Sequence, residues 1–136
     1  MVGQSDETLD SLDCELLVES GGAQVGIWRP ILKEYEALED QQKGRFKRIM
    51  EMWCVGQKLP STMFNGSEGR TKAENLMLQA FKAFKIRLYG FVRRVGQTNT
   101  FIIIDLDPAK KQDKADPGIL KRAKGRADEI GKGKKK

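Results

Sequence analysis

A β-hairpin pattern between residues 85 and 106 constrains the fold of this chain more than any other feature of its sequence. Alternate side chains of residues 86–93 fall into an apolar set and a mainly basic and aromatic set, as a strand with two different faces requires. Residues 96–99, Gly-Gln-Thr-Asn, supply a turn. The β-branched run over residues 100–106 then predicts a second strand, buried on both faces at its centre.

Further strand and helix patterns precede the hairpin. Residues 14–18 form a short apolar run before a Gly-Gly pair, which predicts a first strand closed by a turn. Large apolar side chains at helical spacing predict two short amphipathic helices, one from Trp28 to Leu38 and one from Phe46 to Trp53. Residues 71–85 stay open between helix and strand, because a capping box competes with an alternating pattern.

A last helix follows the hairpin. Asp116 offers an N-cap with Pro117 at the first helical position, and four apolar residues then share one face. These residues are Ile119, Ala123, Ala127 and Ile130. The order of elements predicts an α+β fold in which helices pack on one face of a small antiparallel sheet.

Charge is distributed unevenly along the chain. Residues 1–20 hold six acids and no base, so the remaining residues carry 25 bases and 13 acids, a net charge of +12. A basic body makes a polyanion the first partner to consider, and nucleic acid comes before a membrane. The alternative is a well-solvated surface. The acidic leader either folds back on the basic face and competes with RNA, or acts only as a solubilising tail.

Several classes of protein are excluded by residue counts. The chain has no His, which removes Ser-His-Asp triads, Cys-His dyads and His-containing zinc sites. Two distant cysteines cannot form a zinc cage alone, so no metal and no cofactor are expected. No run approaches the ~20 apolar residues of a membrane span, and no signal peptide is recognisable. We therefore expect a cytoplasmic protein with reduced thiols.

The candidate functional residues are basic and aromatic. Strand periodicity places Arg87, Tyr89 and Arg93 on one outer face of the hairpin. A lysine-rich segment follows the second strand, and the polar face of the last helix is also basic. Arginine forks and mobile lysines suit phosphate oxygens, and Tyr89 could stack on a base. The predicted RNA-binding residues are Arg93, Lys110, Lys111, Lys114 and Arg122. The alternative is a solvated basic face with Tyr89 half-buried.

The succession of these motifs resembles the RelE/HigB-like toxins of bacterial type II toxin–antitoxin modules, especially their phage-derived branch. The likeness covers roughly residues 14–130. The residues that carry it are Ile86-Arg87-Leu88-Tyr89-Gly90-Phe91, Ile104-Asp105-Leu106, Lys110-Lys111-Gln112-Asp113-Lys114-Ala115-Asp116-Pro117, and a helix containing Ala123 and Arg126-Ala127. In the same family order, a first strand, a two-helix arm and Gly56-Gln57-Lys58-Leu59-Pro60 come before them.

The resemblance implies a fold, an activity and partners. It implies a RelE-like small antiparallel sheet with two N-terminal helices and a C-terminal helix on one side, and makes residues 71–85 mostly strand. It implies cleavage of mRNA on the ribosome and neutralisation by a cognate antitoxin, a small helix-turn-helix protein. Catalytic roles carried over by matching position fall to Arg87, Tyr89, Lys82 and Lys111. Lys82 stands where the family usually has the arginine of Glu-Leu-Arg.

The resemblance therefore implies a metal-independent endoribonuclease acting as a ribosome-dependent mRNA interferase. Without His, the general base would be a lysine crowded by cations or Tyr89, and Arg87 would hold the phosphate. The alternative is a non-catalytic nucleic-acid-binding or protein-binding member of the same fold, of phage or mobile-element origin. The expected organisation is an acidic disordered leader at 1–13, a toxin domain at 14–130 and a basic disordered tail at 131–136.

Overall fold

A computed structural model describes residues 7–108 and 116–131 of the chain. Six strands form one mixed sheet in the order β1-β2-β6-β5-β4-β3. The strands are β1 (Cys14–Ser20), β2 (Ala23–Trp28), β3 (Phe64–Asn65), β4 (Gln79–Ala83), β5 (Ile86–Val95) and β6 (Thr98–Asp107). The α-helices are α1 (Leu32–Glu36), α2 (Asp40–Cys54) and α3 (Pro117–Gly131), with short 3-10 turns at Asp10–Leu12 and Arg29–Ile31.

Strand β6 is the centre of the sheet. It pairs antiparallel with β5, which confirms the predicted hairpin, and parallel with β2. Every residue from Phe101 to Asp107 is buried, as the β-branched run predicted. A parallel pair cannot be joined by a tight turn, so the chain crosses from β2 to the far part of the sheet through α1 and α2.

Helices cover both faces of this sheet. On one face, Phe46, Ile49 and Met50 of α2 pack in a core with β2, β4, β5 and β6. On the other face, Ala123 and Ala127 of α3 pack against β5 and β6. The α+β class is confirmed, but two details were wrong: the sheet is mixed rather than antiparallel, and its helices do not share one side. The physical reason is that β6 is apolar on both faces, and each face must be kept from water.

Three local predictions also need correction. Residues 23–28 form β2. Trp28 is the last residue of this strand, where it pairs with Cys14 of β1, and it does not start a helix. In the segment 71–85, only residues 79–83 form a strand. The described part of the leader, residues 7–13, is folded rather than disordered: it contains a 3-10 turn, and Leu12 is buried. Residues 1–6 and 132–136 lie outside the described range.

A β-bulge in β6 decides which side chains face α3. Tyr89 pairs with Asp105 and Gly90 pairs with Ile103, so Ile104 has no partner on β5. The extra residue breaks the alternation, and both Ile104 and Asp105 face the helix α3. Gly90 lies opposite the bulge, where a Cβ atom would come within 2.3 Å of the Ile102 carbonyl oxygen.

We expect Gly90→Ala to destabilise the protein by about 3 kcal/mol or more, because the added methyl group would overlap backbone that cannot move without breaking the ladder. Urea unfolding measures this change. Gly125→Ala is the matched control, since a Cβ there meets nothing within 4 Å. In a helix interior that change should stabilise by about 0.5–1 kcal/mol. Equal stability of the Gly90 variant and the wild type would contradict the bulge geometry.

Candidate nucleic-acid interface

A buried ion cluster fastens α3 to β6. Asp105 is fully buried, and Arg122 holds both of its carboxylate oxygens, through Nη2 at 2.6 Å and Nε at 2.8 Å. Arg126 adds an ion pair at 3.1 Å and lies over the Trp28 ring at 5.2 Å from its centroid. Two guanidinium groups therefore neutralise one carboxylate that has no access to water.

This cluster contains Arg122, which the sequence predicts as an RNA ligand. Hydrogen bonding to Asp105 raises the pKa of Arg122 and fixes its fork, although about half of the side chain remains exposed. Tyr89 lies beneath α3 and is fully buried. Burial raises the pKa of its phenol, with a further contribution from Glu68. Tyr89 therefore neither reaches solvent nor offers a proton acceptor near neutral pH.

Arg93 is also engaged within the fold. Its guanidinium contacts the Glu7 carboxylate at 2.6 Å and donates to the Ile130 carbonyl at 3.3 Å. The leader reaches a second arginine as well, because Asp10 contacts Arg29 at 2.6 Å. The described part of the leader, residues 7–13, therefore contacts the rest of the fold, and its Glu7 engages Arg93, one of the predicted RNA ligands. Arg93 therefore links the leader, through Glu7, to the C-terminal end of α3, through the Ile130 carbonyl.

Two predicted site residues do come together, at the other end of β5. Lys82 and Arg87 are direct cross-strand partners on β4 and β5, and Asp107 stands on the opposite side of Arg87. Like charges placed directly opposite each other destabilise a sheet. Arg87 therefore lies between a like charge on β4 and an opposite charge on β6. Asp107 itself is buried and accepts a hydrogen bond from the Asp116 backbone at the start of α3.

A pocket of about 360 Å³ opens beside this pair, where β4 turns into β5. We call it the turn pocket. Phe84 stands at the tip of the turn with 47% of its surface exposed, and the Arg45 guanidinium of α2 lies 5.6 Å from its ring centroid. The residues lining the turn pocket are Thr62, Lys82, Ala83, Phe84, Lys85, Ile86 and Arg87.

Sequence reasoning identified only part of this surface. Lys82 and Arg87 were named, whereas Thr62, Lys85, Phe84 and Arg45 were not. The available signal was an aromatic residue between two lysines, in the stretch Lys82-Ala83-Phe84-Lys85. Competing helix and strand patterns in residues 71–85 obscure this signal. The predicted ligands Lys110, Lys111 and Lys114 lie outside the described residues.

Removing both arginine partners of Asp105 should strongly destabilise the protein. We expect Arg122→Ala combined with Arg126→Ala to cost about 3–5 kcal/mol, because a buried carboxylate is left unpaired. Adding Asp105→Asn to that variant should restore part of the stability, since it removes the buried charge. Urea unfolding compares the three proteins. A cost below about 1 kcal/mol for the double variant would show that the cluster does not hold α3.

Comparison with protein-family models, with curated proteins and with solved structures finds no match to this chain. Among residues 7–108 and 116–131, no helix has the length and apolar character needed to cross a membrane. The same residues contain no group of Cys, Asp and Glu side chains placed to hold a metal ion. What the interface binds must be inferred from the chemistry of its own side chains.

Proposed function

We propose that this chain binds single-stranded RNA through the turn pocket. The observation that carries the proposal is the meeting of three cations, Lys82, Lys85 and Arg87, around one concave surface. An arginine fork and mobile lysine ammonium groups are the side chains that hold phosphate oxygens. The Thr62 hydroxyl adds a neutral group that can donate to or accept from a ribose 2′-hydroxyl.

The position of the turn pocket supports a flexible strand as its ligand. The pocket is formed at a two-residue turn: Lys82 and Arg87 come from paired positions on β4 and β5, and Lys85 comes from the turn itself. A single strand can bend its backbone into such a site and expose its bases at the same time. The family resemblance adds mRNA as the RNA concerned and the ribosome as the place of binding.

Affinity for a fluorescein-labelled single-stranded RNA, measured by fluorescence anisotropy over a range of salt, tests the proposal. Lys82→Ala and Arg87→Ala should each weaken binding and lower the slope of log affinity against log salt by about 0.7, the value for one phosphate contact on a single strand. The reason is that each variant releases one fewer counterion on binding.

Two controls have the same charge change at a distance from the turn pocket. Lys72→Ala removes an exposed lysine beyond the other end of β4, and Arg94→Ala removes an exposed arginine near the far end of β5. Both should bind RNA nearly as the wild type does. If the control variants lose as much affinity and salt slope as the pocket variants, binding is spread over the surface and the turn pocket is not the site.

A second candidate function is the one that the family resemblance implies, a type II toxin that cleaves mRNA on the ribosome and is neutralised by a helix-turn-helix antitoxin. The adjacency of Lys82 and Arg87 favours it, because paired cations stabilise the charge that builds up when a ribose 2′-oxygen attacks phosphate. Tyr89 is too deeply buried to transfer a proton, so that role would fall to a lysine. Binding without cleavage is the alternative.

Induced expression in bacteria separates cleavage from binding. A toxin should arrest growth and produce cut mRNA, detectable by primer extension. Arg87→Ala should relieve the arrest, whereas Lys72→Ala should not. Tyr89→Phe should remain as toxic as the wild type, because the phenol lies in the core. Normal growth with intact mRNA, in cells that accumulate folded protein, would reject the toxin and leave RNA binding.

A further inference from the structure

The turn between β4 and β5 has a costly backbone conformation. Ala83 pairs with Ile86, so Phe84 and Lys85 alone join the strands, with φ values of 54° and 64°. Two-residue turns with both φ values positive favour Asn-Gly or Gly-Gly, because a Cβ atom is disfavoured in the left-handed region.

The other two hairpins of the same sheet meet this requirement with glycine. Gly21 and Gly22 join β1 to β2, at φ values of 58° and 86°. The turn from β5 to β6 has Gly96 at 63°. The β4–β5 turn therefore has side chains where the fold alone would favour residues without them. Backbone strain of this kind is concentrated at functional sites.

The side chain of Phe84 does not contribute to either core cluster. It is about half exposed, and the Arg45 guanidinium lies 5.6 Å from the centroid of its ring. A cation beside an aromatic ring is attracted to its π-face and limits its motion. Solvent exposure of the remaining ring surface leaves room for a second flat group. A buried packing role therefore does not account for a phenylalanine at this position.

The surroundings of Phe84 point to a nucleobase as that group. Lys82, Lys85 and Arg87 line the turn pocket together with Phe84. On the α2 side, Arg45 also lines a wider groove of about 790 Å³ together with Arg48, where these two arginines face a single acid, Glu51. Arg45 therefore places a second basic groove next to Phe84.

We infer that Phe84 is a stacking platform for one base of the bound single-stranded RNA, supported by Arg45. This inference rests on the proposed function, which supplies the phosphate contacts, and it adds that the bound RNA must have an unpaired base. A base must be unpaired to stack on Phe84, so single strands bind in preference to duplexes. Every base has a π-face, so this contact selects for unpaired structure and not for sequence.

Phe84→Asn is the most informative variant, because asparagine tolerates the left-handed conformation better than phenylalanine does. It should raise the melting temperature and at the same time weaken binding of single-stranded RNA by about tenfold, the loss expected for one stacked base. Phe84→Tyr keeps a flat ring and should bind as the wild type does. Gain of stability with loss of affinity cannot be explained by misfolding.

Two RNA probes complete the test. A duplex of the same sequence should bind wild type more weakly than the single strand, and Phe84→Asn should largely abolish that difference. RNA containing 2-aminopurine should show a fluorescence change on binding to wild type, because stacking alters its emission, and the change should be lost in Phe84→Asn. These probes test base stacking on Phe84, whereas Arg87→Ala tests phosphate binding in the turn pocket.

The outcomes distinguish failure of this inference from failure of the proposed function. If Arg87→Ala weakens binding but Phe84→Asn binds single strands as the wild type does, the turn pocket holds phosphate and the stacking platform is rejected. In that case Phe84 is available for another contact, such as a protein partner. If neither variant changes RNA binding, the proposed function itself is wrong, and the stacking platform is rejected with it.

Discussion

The pairing of Asp105 with two arginines of α3 is the interaction on which the rest of this structure depends. A carboxylate without access to water costs several kcal/mol unless it is paired, so the central strand β6 can be buried only when α3 is docked. The bulge at Ile104 makes this possible, because it turns Asp105 toward the helix. Small residues at Ala123 and Ala127 let α3 approach closely. The helix thereby covers the face of the hairpin on which the sequence placed the candidate catalytic residue Tyr89.

Because α3 covers that face, a ligand can reach only the residues that lie outside the covered area. Arg93 and Arg122 lie beside α3 and are already paired with Glu7 and Asp105. The phenol of Tyr89 is buried beneath α3 and has no hydrogen-bond partner among the described residues. Lys82 and Arg87 lie one row beyond Asp105 and Tyr89 on the sheet, toward the β4–β5 turn. Lys82 and Arg87 are cross-strand neighbours, and with the exposed ring of Phe84 they form the surface best suited to a phosphate and a base.

Local sequence patterns predicted the elements better than they predicted the partners. The hairpin and the cap of α3 were both confirmed: the Asp116 carboxylate accepts from the backbone N–H of Gly118 at 2.8 Å. Periodicity correctly placed Arg87 and Tyr89 on one face, but it carries no information on what covers that face. The pairing of Arg122 with Asp105 joins residues of two elements through a bulge, which alternation by itself cannot reveal. The role of Phe84 depends on turn geometry, visible only once β4 and β5 are paired.

Photocrosslinking with a single-stranded RNA containing 4-thiouridine, followed by mapping of the crosslinked peptides, tests whether RNA binds at the β4–β5 turn. It reports which residues the bases contact, independently of any substitution. If the β4–β5 turn is the RNA-binding surface, crosslinks will be concentrated on residues 82–87 and on the adjacent part of α2 around Arg45. Crosslinks confined to the β5 residues that α3 covers would show that the helix leaves the sheet and that the buried face is the true site. Crosslinks confined to the exposed side of α3 would place the RNA-binding surface on the docked helix.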